Sequence, residues 1–235
     1  TVRVLFEDKE IDIASTREEF YPQKGHLPVV SNIGCALKDD LKRRDFTINA
    51  MAKRTTDGEV IDIFSGKEDI KAKKIRVLHN ESFIDDPTRI LRALKFSLRF
   101  GFTLDESTAR FQEEYLKNIN YDMSYHRLKK ELVETFNLNS QEAYERFTSE
   151  GIYKLLGKFV HLPECHPDFM NLNYSGRHIW LIYLSFFNLD NLELTRAEKR
   201  IIEWAERLKT EKQTNNTPIE SIIINEKIAN NIYNL

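Results

Sequence analysis

DDPTRILRALKFSLR, residues Asp85 to Arg99, divides this sequence: ahead of it the pattern alternates as strands do, and behind it nearly everything is spaced for helix. Pro87 suits a first helical position and disfavours helical dihedrals at the residue before it, which predicts a helix starting here with Asp86 as its N-cap. Ile90, Leu91, Leu94 and Leu98 then share one side. At about 100° per residue, Asp86, Arg89, Arg92 and Lys95 form a stair in i, i+3 steps, a carboxylate leading a column of cations.

That order has a chemical use. Cytosine and adenine each carry an amino donor beside a ring-nitrogen acceptor on the pairing edge, and a carboxylate next to a guanidinium complements both. Uracil and guanine would set acceptor against acceptor and donor against donor, each mismatch costing roughly 1–3 kcal/mol. Arg92 and Lys95, further along, could hold phosphates of the same nucleotide. The plainer reading is a capping aspartate followed by a solvated basic face.

Working outward, the chain has 235 residues, enough for a sizeable core, with 41% hydrophobic and 31% charged residues. The net charge of −2 makes any nucleic-acid surface a local patch rather than the field of the whole chain. Two distant cysteines, Cys35 and Cys165, argue against a disulfide framework, and no stretch approaches the roughly 18 apolar residues of a membrane span. These features predict a cytoplasmic protein with no membrane partner. The opening TVRVLF enters strand alternation at once, and reads as though cut from something longer.

Val2, Val4 and Phe6, then Ile11 and Ile13, predict a hairpin with one apolar face, leaving Glu10 and Asp12 together on the other. Paired carboxylates there could bind Mg²⁺ or simply face water. Thr16 to Cys35, with two prolines and two glycines and neither period, reads as a long mobile loop. Lys42, Arg43 and Arg44 cluster before an apolar segment, as a salt bridge or a phosphate grip. GEVIDIF, Gly58 to Phe64, returns to strand, and Lys67 to Arg76 carries five basic and two acidic residues on an expected helix.

Beyond Arg99 the expected helices are capped by Asp105, Ser124 and Ser140, with Leu128, Leu132 and Val133 on one side of the second. Ile179 to Phe187 reads as a buried helix. Thr195 with Glu198 and Thr217 with Glu220 fit capping boxes. His161, Cys165 and His166 resemble zinc ligands superficially, but a fourth ligand and a matching spacing are missing, so no metal is assigned.

Taken in order, DDLKRRDFTINAMA, IDIFSGKEDI and FIDDPTRILRALKFSLRFGF closely resemble the bacterial class II CCA-adding tRNA nucleotidyltransferase and poly(A) polymerase family. The resemblance covers about the first half of the chain. It implies an α+β chain: part of a nucleotidyltransferase head (1–66), a small β-sheet with helices, then an all-helical neck that reads the base (67–125) and a helical body and start of a tail that hold tRNA (126–235). The implied activity is template-independent addition of C and A, from CTP and ATP, to the tRNA 3′ end. Carried over by position, Asp86 and Arg89 read the base, Arg92 and Lys95 lie along the triphosphate, and Arg44 contacts the nucleotide. Asp12 matches the acid that follows the catalytic pair, with Glu10 weaker, and the Thr16 to Cys35 loop matches one that helps the switch from C to A addition. Lys95 stands where the family usually has Arg, which removes the bidentate fork but keeps the charge.

The family's glycine pair and the Asp-x-Asp that seats Mg²⁺ are expected ahead of Thr1, so the polypeptide is expected to be a fragment inactive in transfer by itself. The alternatives are a poly(A) polymerase, an enzyme adding only CC or only A, and a noncatalytic RNA-binding module.

Overall fold

The computed structural model describes residues 1–162 and 178–203. Strand β1 (Val2–Phe6) pairs antiparallel with β2 (Lys9–Ile13) around Glu7 and Asp8, both at positive φ as a two-residue hairpin turn of right-handed twist requires. Val2 stands opposite Ile13 and Val4 opposite Ile11, so the apolar face forms as expected. Every residue of both strands is nonetheless exposed.

Residues 16–35, read from sequence as a long loop, carry regular structure. They fold into a second antiparallel hairpin, β3 (Arg17–Phe20) with β4 (Val29–Ile33), closed by Thr16 Oγ to the Cys35 carbonyl at 2.7 Å and the Gly34 N–H to the Thr16 carbonyl at 2.7 Å. A bulge between Glu18 and Glu19 breaks the period-2 pattern by which a strand is read from sequence. Helix α1 (Leu37–Lys42) follows, then a 3₁₀ turn (Thr47–Asn49) and the hairpin of β5 (Met51–Lys53) and β6 (Val60–Asp62).

Helix α2 (Gly66–Ala72) is capped from outside itself. The Asp62 carboxylate accepts from the Gly66 and Lys67 N–H groups, both at 2.8 Å. A Cβ on Gly66 would stand 2.4 Å from the Thr47 carbonyl oxygen, so only glycine lets this helix reach the turn beneath it. The helix stops short of the expected Arg76: Lys73 turns left-handed, and β7 (Lys74–Ile75) pairs in parallel with β8 (Thr103–Leu104).

Helices α3 (Ser82–Asp85) and α4 (Thr88–Phe100) meet at Asp86-Pro87, and α4 ends at Gly101, left-handed at φ 66°. Helices α5 (Glu106–Lys117), α6 (Tyr125–Phe136), α7 (Ser140–Ser149) and α8 (Ile179–Leu184) complete the labelled helices. Asn139, one residue before the expected Ser140, caps α7 by accepting from the Glu142 N–H. Thr195 and Glu198 exchange both bonds of the expected capping box at the head of a helix over 196–203. Cys165, His166, Thr217 and Glu220 lie outside the described residues.

The apolar side of α4, Ile90, Leu91 and Leu94, packs chiefly on α6, where Leu128 and Leu132 are fully buried. Each such side chain contributes about 1.5–3 kcal/mol by leaving water. Phe136 meets Phe147 edge-on at 5.6 Å, and Trp180, Leu181 and Leu184 close the far side. One cluster of buried side chains runs from Phe46 to Ile201 and crosses residues 66/67 and 125/126, so α4 is fixed on both sides.

Candidate functional site

Asp86 has an extended backbone, φ −146° and ψ 94°, and its Oδ1 accepts from the Thr88 N–H at 3.1 Å and the Thr88 hydroxyl at 2.6 Å. It therefore caps α4 as the Pro87 argument requires. Its Oδ2 accepts from Arg127 Nη2 on α6 at 2.5 Å. Arg89, one turn on and only 4% exposed, donates Nη1 to Ser82 Oγ at 2.6 Å. Its Nη2 donates to the Tyr21 hydroxyl at 3.1 Å and the Arg43 carbonyl at 3.4 Å. The guanidinium also stands 5.8 Å from the centre of the Tyr21 ring. Ser82 on the adjoining α3 and two remote segments, at Tyr21 and Arg43, thus aim one arginine.

Arg89 opens on a cleft of about 440 Å³, walled also by Phe20, Tyr21, Lys24, Arg43 and His79. Asp86, 3% exposed, lies behind this cleft rather than in its wall. The sequence stair predicts a joint acid–guanidinium edge; in the structure α6 has placed a cation, Arg127, on the acid's outer oxygen.

The lower steps of the stair turn away from the cleft. Arg92 binds Asp45 at 2.5 Å and Glu131 at 3.3 Å. Lys95, its side chain 5% exposed, is held by Glu131 at 2.5 Å and Glu134 at 2.6 Å. Helix α6 supplies both acids at i, i+3 spacing, and nothing in the α4 sequence announces which helix will face it. Arg44 pairs with Asp40 at 3.2 Å and is not in the cleft wall, whereas its neighbour Arg43 is. Burial alone would push the Asp40 carboxyl up, but bonds donated by Arg43, the Arg17 N–H and Arg44 together hold it below its ordinary value.

Asp12 is exposed and gripped by Arg3, Nε to Oδ1 at 2.8 Å and Nη2 to Oδ2 at 3.1 Å, while Nη1 reaches Glu10 at 3.1 Å. It is not part of the cleft. Among the described residues no group of three or more His, Cys, Asp or Glu side chains could hold a metal ion, and the Glu10 and Asp12 pair is turned to Arg3.

Within the cleft, burial and then the nearby Arg89 charge push the His79 imidazole below its ordinary value, against the pull of Asp85 and Glu81. Burial raises the Tyr21 phenol despite Arg89. A hydrogen bond to Asp85 raises the Lys24 ammonium. The turn between β3 and β4 is clasped to the helices: the Gly25 N–H donates to the Asp85 carbonyl at 2.9 Å and the Ser124 N–H to the Gly25 carbonyl at 3.0 Å. Tyr21, His79, Ser82 and Arg127 are cleft or support residues that pattern reading does not single out. Arg43, read in the sequence with Arg44 as a salt bridge or a phosphate grip, is the one of the two in the cleft wall; Arg127, 41 residues from Asp86, carries no local signal.

Residues 1–76 match the poly A polymerase head domain family. An A-adding tRNA nucleotidyltransferase of Geobacter sulfurreducens is 44% identical over 122 residues, 50% of this chain and 13% of that protein. A CCA-adding enzyme of Bacillus subtilis is 34% identical over 170 residues, 70% of this chain and 42% of that one. The fold superposes on a CCA-adding enzyme, apo form II, with TM-score 0.75 and 28% identity, over 92% of this chain and 57% of that chain. Similar solved structures include CCA-adding enzymes with ATP, with CTP and, from Thermotoga maritima, with tRNA. The matches thus span well under two thirds of the relatives' own length. No helix among the described residues is long and apolar enough to cross a membrane. With its head motifs, its neck helix and its fold all shared with these proteins, the chain belongs to the bacterial CCA-adding tRNA nucleotidyltransferase and poly(A) polymerase family.

Proposed function

We propose that this chain carries the nucleotide-reading part of a template-independent nucleotidyltransferase that adds C and A, from CTP and ATP, to the 3′ end of tRNA in the cytoplasm. The observation that carries the reading is the aiming of Arg89 into the cleft by Ser82, Tyr21 and Arg43, with the carboxylate of Asp86 one turn away. A cytosine or adenine entering the cleft takes the Arg89 bond now given to the Tyr21 hydroxyl onto its ring nitrogen; for its amine to reach Asp86, 3% exposed and outside the cleft wall, the side chains between them must move aside. Uracil and guanine present the opposite polarity at both atoms.

Lys42 in the cleft wall supplies positive charge for the phosphates, and Lys24 and Arg43 do so on leaving Asp85 and Asp40; the same wall also carries Glu18, Glu19 and Asp39. For Arg44, Arg92 and Lys95 to serve the triphosphate they must exchange carboxylate partners, Asp40 for the first and Asp45, Glu131 and Glu134 for the others. A role for Asp12 likewise begins with release from Arg3. The division of labour we assign is head over 1–66, base-reading neck over 67–125 and tRNA-holding body from 126.

The test is equilibrium binding of CTP, ATP, UTP and GTP to the whole chain. CTP and ATP should bind at least about tenfold tighter than UTP and GTP, the equivalent of one unpaired buried polar group. Asp86→Ala and Arg89→Ala should blunt that selectivity more than they weaken affinity for the triphosphate. Equal binding of all four, with tRNA still bound, would favour a noncatalytic RNA-binding module. Relatives are named both A-adding and CCA-adding, so product length on tRNA with CTP alone, ATP alone and both separates those outcomes.

A further inference from the structure

Asp86 receives three donated bonds: two on Oδ1 from Thr88 and one on Oδ2 from Arg127. A carboxylate offers about four acceptor positions, which leaves one, on the oxygen that Arg127 holds. Arg127 is itself oriented by the His26 carbonyl at 3.5 Å, within the clasped turn of the second hairpin. The charged groups facing the acid are Arg89 from α4 and Arg127 from α6. Two phenols also sense its charge, Tyr21 beside the cleft and Tyr115 on α5, and burial shifts both upward, which keeps them neutral below pH 8.

From this geometry we infer that Arg127 is a positioning residue for base selectivity: it fixes Asp86 as an acceptor-only group and turns its last free lone pair to the amine of C or A. The inference rests on the proposed base-reading role of Asp86. Its logic is that the sign of the hydrogen bond depends on the proton. An ionised carboxylate only accepts and so demands an amine; a carboxylic acid donates and so welcomes the carbonyl of uracil or guanine. Thr88 donates whichever form is present, so it caps the helix without fixing the charge. Without Arg127 the acid keeps only Arg89, one turn along its own helix, and loses the bond on Oδ2; a buried carboxyl with fewer cations beside it takes up a proton more readily. Selectivity against UTP then becomes a function of pH.

The experiment compares CTP with UTP binding by the whole chain as native protein, Arg127→Gln and Arg127→Lys, between about pH 8 and pH 5.5. The CTP/UTP ratio cancels whatever the triphosphate and His79 do over that range. The native ratio should hold, Lys should preserve it, and Gln should lose about tenfold or more of it toward the acid end. Circular dichroism checks that each variant is folded. Should Arg127→Gln not fold, Arg127→Met takes its place as the uncharged variant; a ratio in that variant that stays at the native value down to the acid end overturns the inference. A native chain with no preference for CTP overturns the base-reading role itself, and this inference with it. A native preference that Gln keeps at every pH overturns the inference alone.

Discussion

Replacing Lys95 by Met, close in length and without charge, probes the buried network between α4 and α6. The ammonium stands between Glu131 at 2.5 Å and Glu134 at 2.6 Å, its own side chain 5% exposed and that of Glu131 11%. Removing one partner of a buried pair costs roughly 3–5 kcal/mol, because the other charge stays buried without compensation. Two features reduce this here. Glu131 keeps Arg92 Nη1 at 3.3 Å, and Glu134, 44% exposed, can turn to water. The expected loss is therefore about 3 kcal/mol, at the low end of that range. Glu131→Gln added to Lys95→Met should recover about 1–2 kcal/mol, since an amide costs less to bury than an unpaired carboxylate. Urea unfolding of the four proteins, followed by circular dichroism at neutral pH, gives the coupling as a double-mutant cycle. A loss below about 1 kcal/mol for Lys95→Met, or no recovery in the double variant, would refute the view that this lysine is a buried counter-ion. That result would return Lys95 to the exposed, phosphate-facing role predicted from the helix sequence.

Gly25→Ala should destabilise the clasp: φ is +82°, and a Cβ would lie 2.9 Å from the Asp122 carbonyl oxygen and 3.1 Å from Met123 Cβ. The expected loss exceeds about 1 kcal/mol, read as a lower urea midpoint and faster proteolysis of the second hairpin, and an unchanged midpoint counts against the clasp. His79 gives a pH dependence of definite sign. Its folded-state value lies below the ordinary 6.5, so the unfolded chain binds the extra proton first. Stability should fall as the pH drops below about 6.5, and stop falling from this source once the folded value is passed. His79→Gln should lose less stability than the native chain over that interval; parallel curves would show that burial and Arg89 do not act on His79 as described.

Some of this was legible because it is local. The Asp86-Pro87 helix start, the first hairpin, the buried faces of α4 and α6, and the Thr195–Glu198 capping box depend on residues within a few positions of each other, whose backbone preferences and periodicity act before any packing. The second hairpin was hidden by a bulge and by strand residues of mixed polarity, and its shape is held by Thr16, Gly34 and Cys35 at its open end. Charge partners were the least legible. The stair of Asp86, Arg89, Arg92 and Lys95 exists on the helix, yet which step faces a cleft and which faces an acid was decided by where α6 and the hairpin settle. A side chain's charge is written in one residue. What neutralises it is settled by chains brought together across 36 to 68 positions, where desolvation makes every buried cation find an anion or a carbonyl. A capped helix carrying an acid and three cations follows from local sequence; that Arg89 is the cation turned to the cleft follows from the packing of α6 and the second hairpin around it.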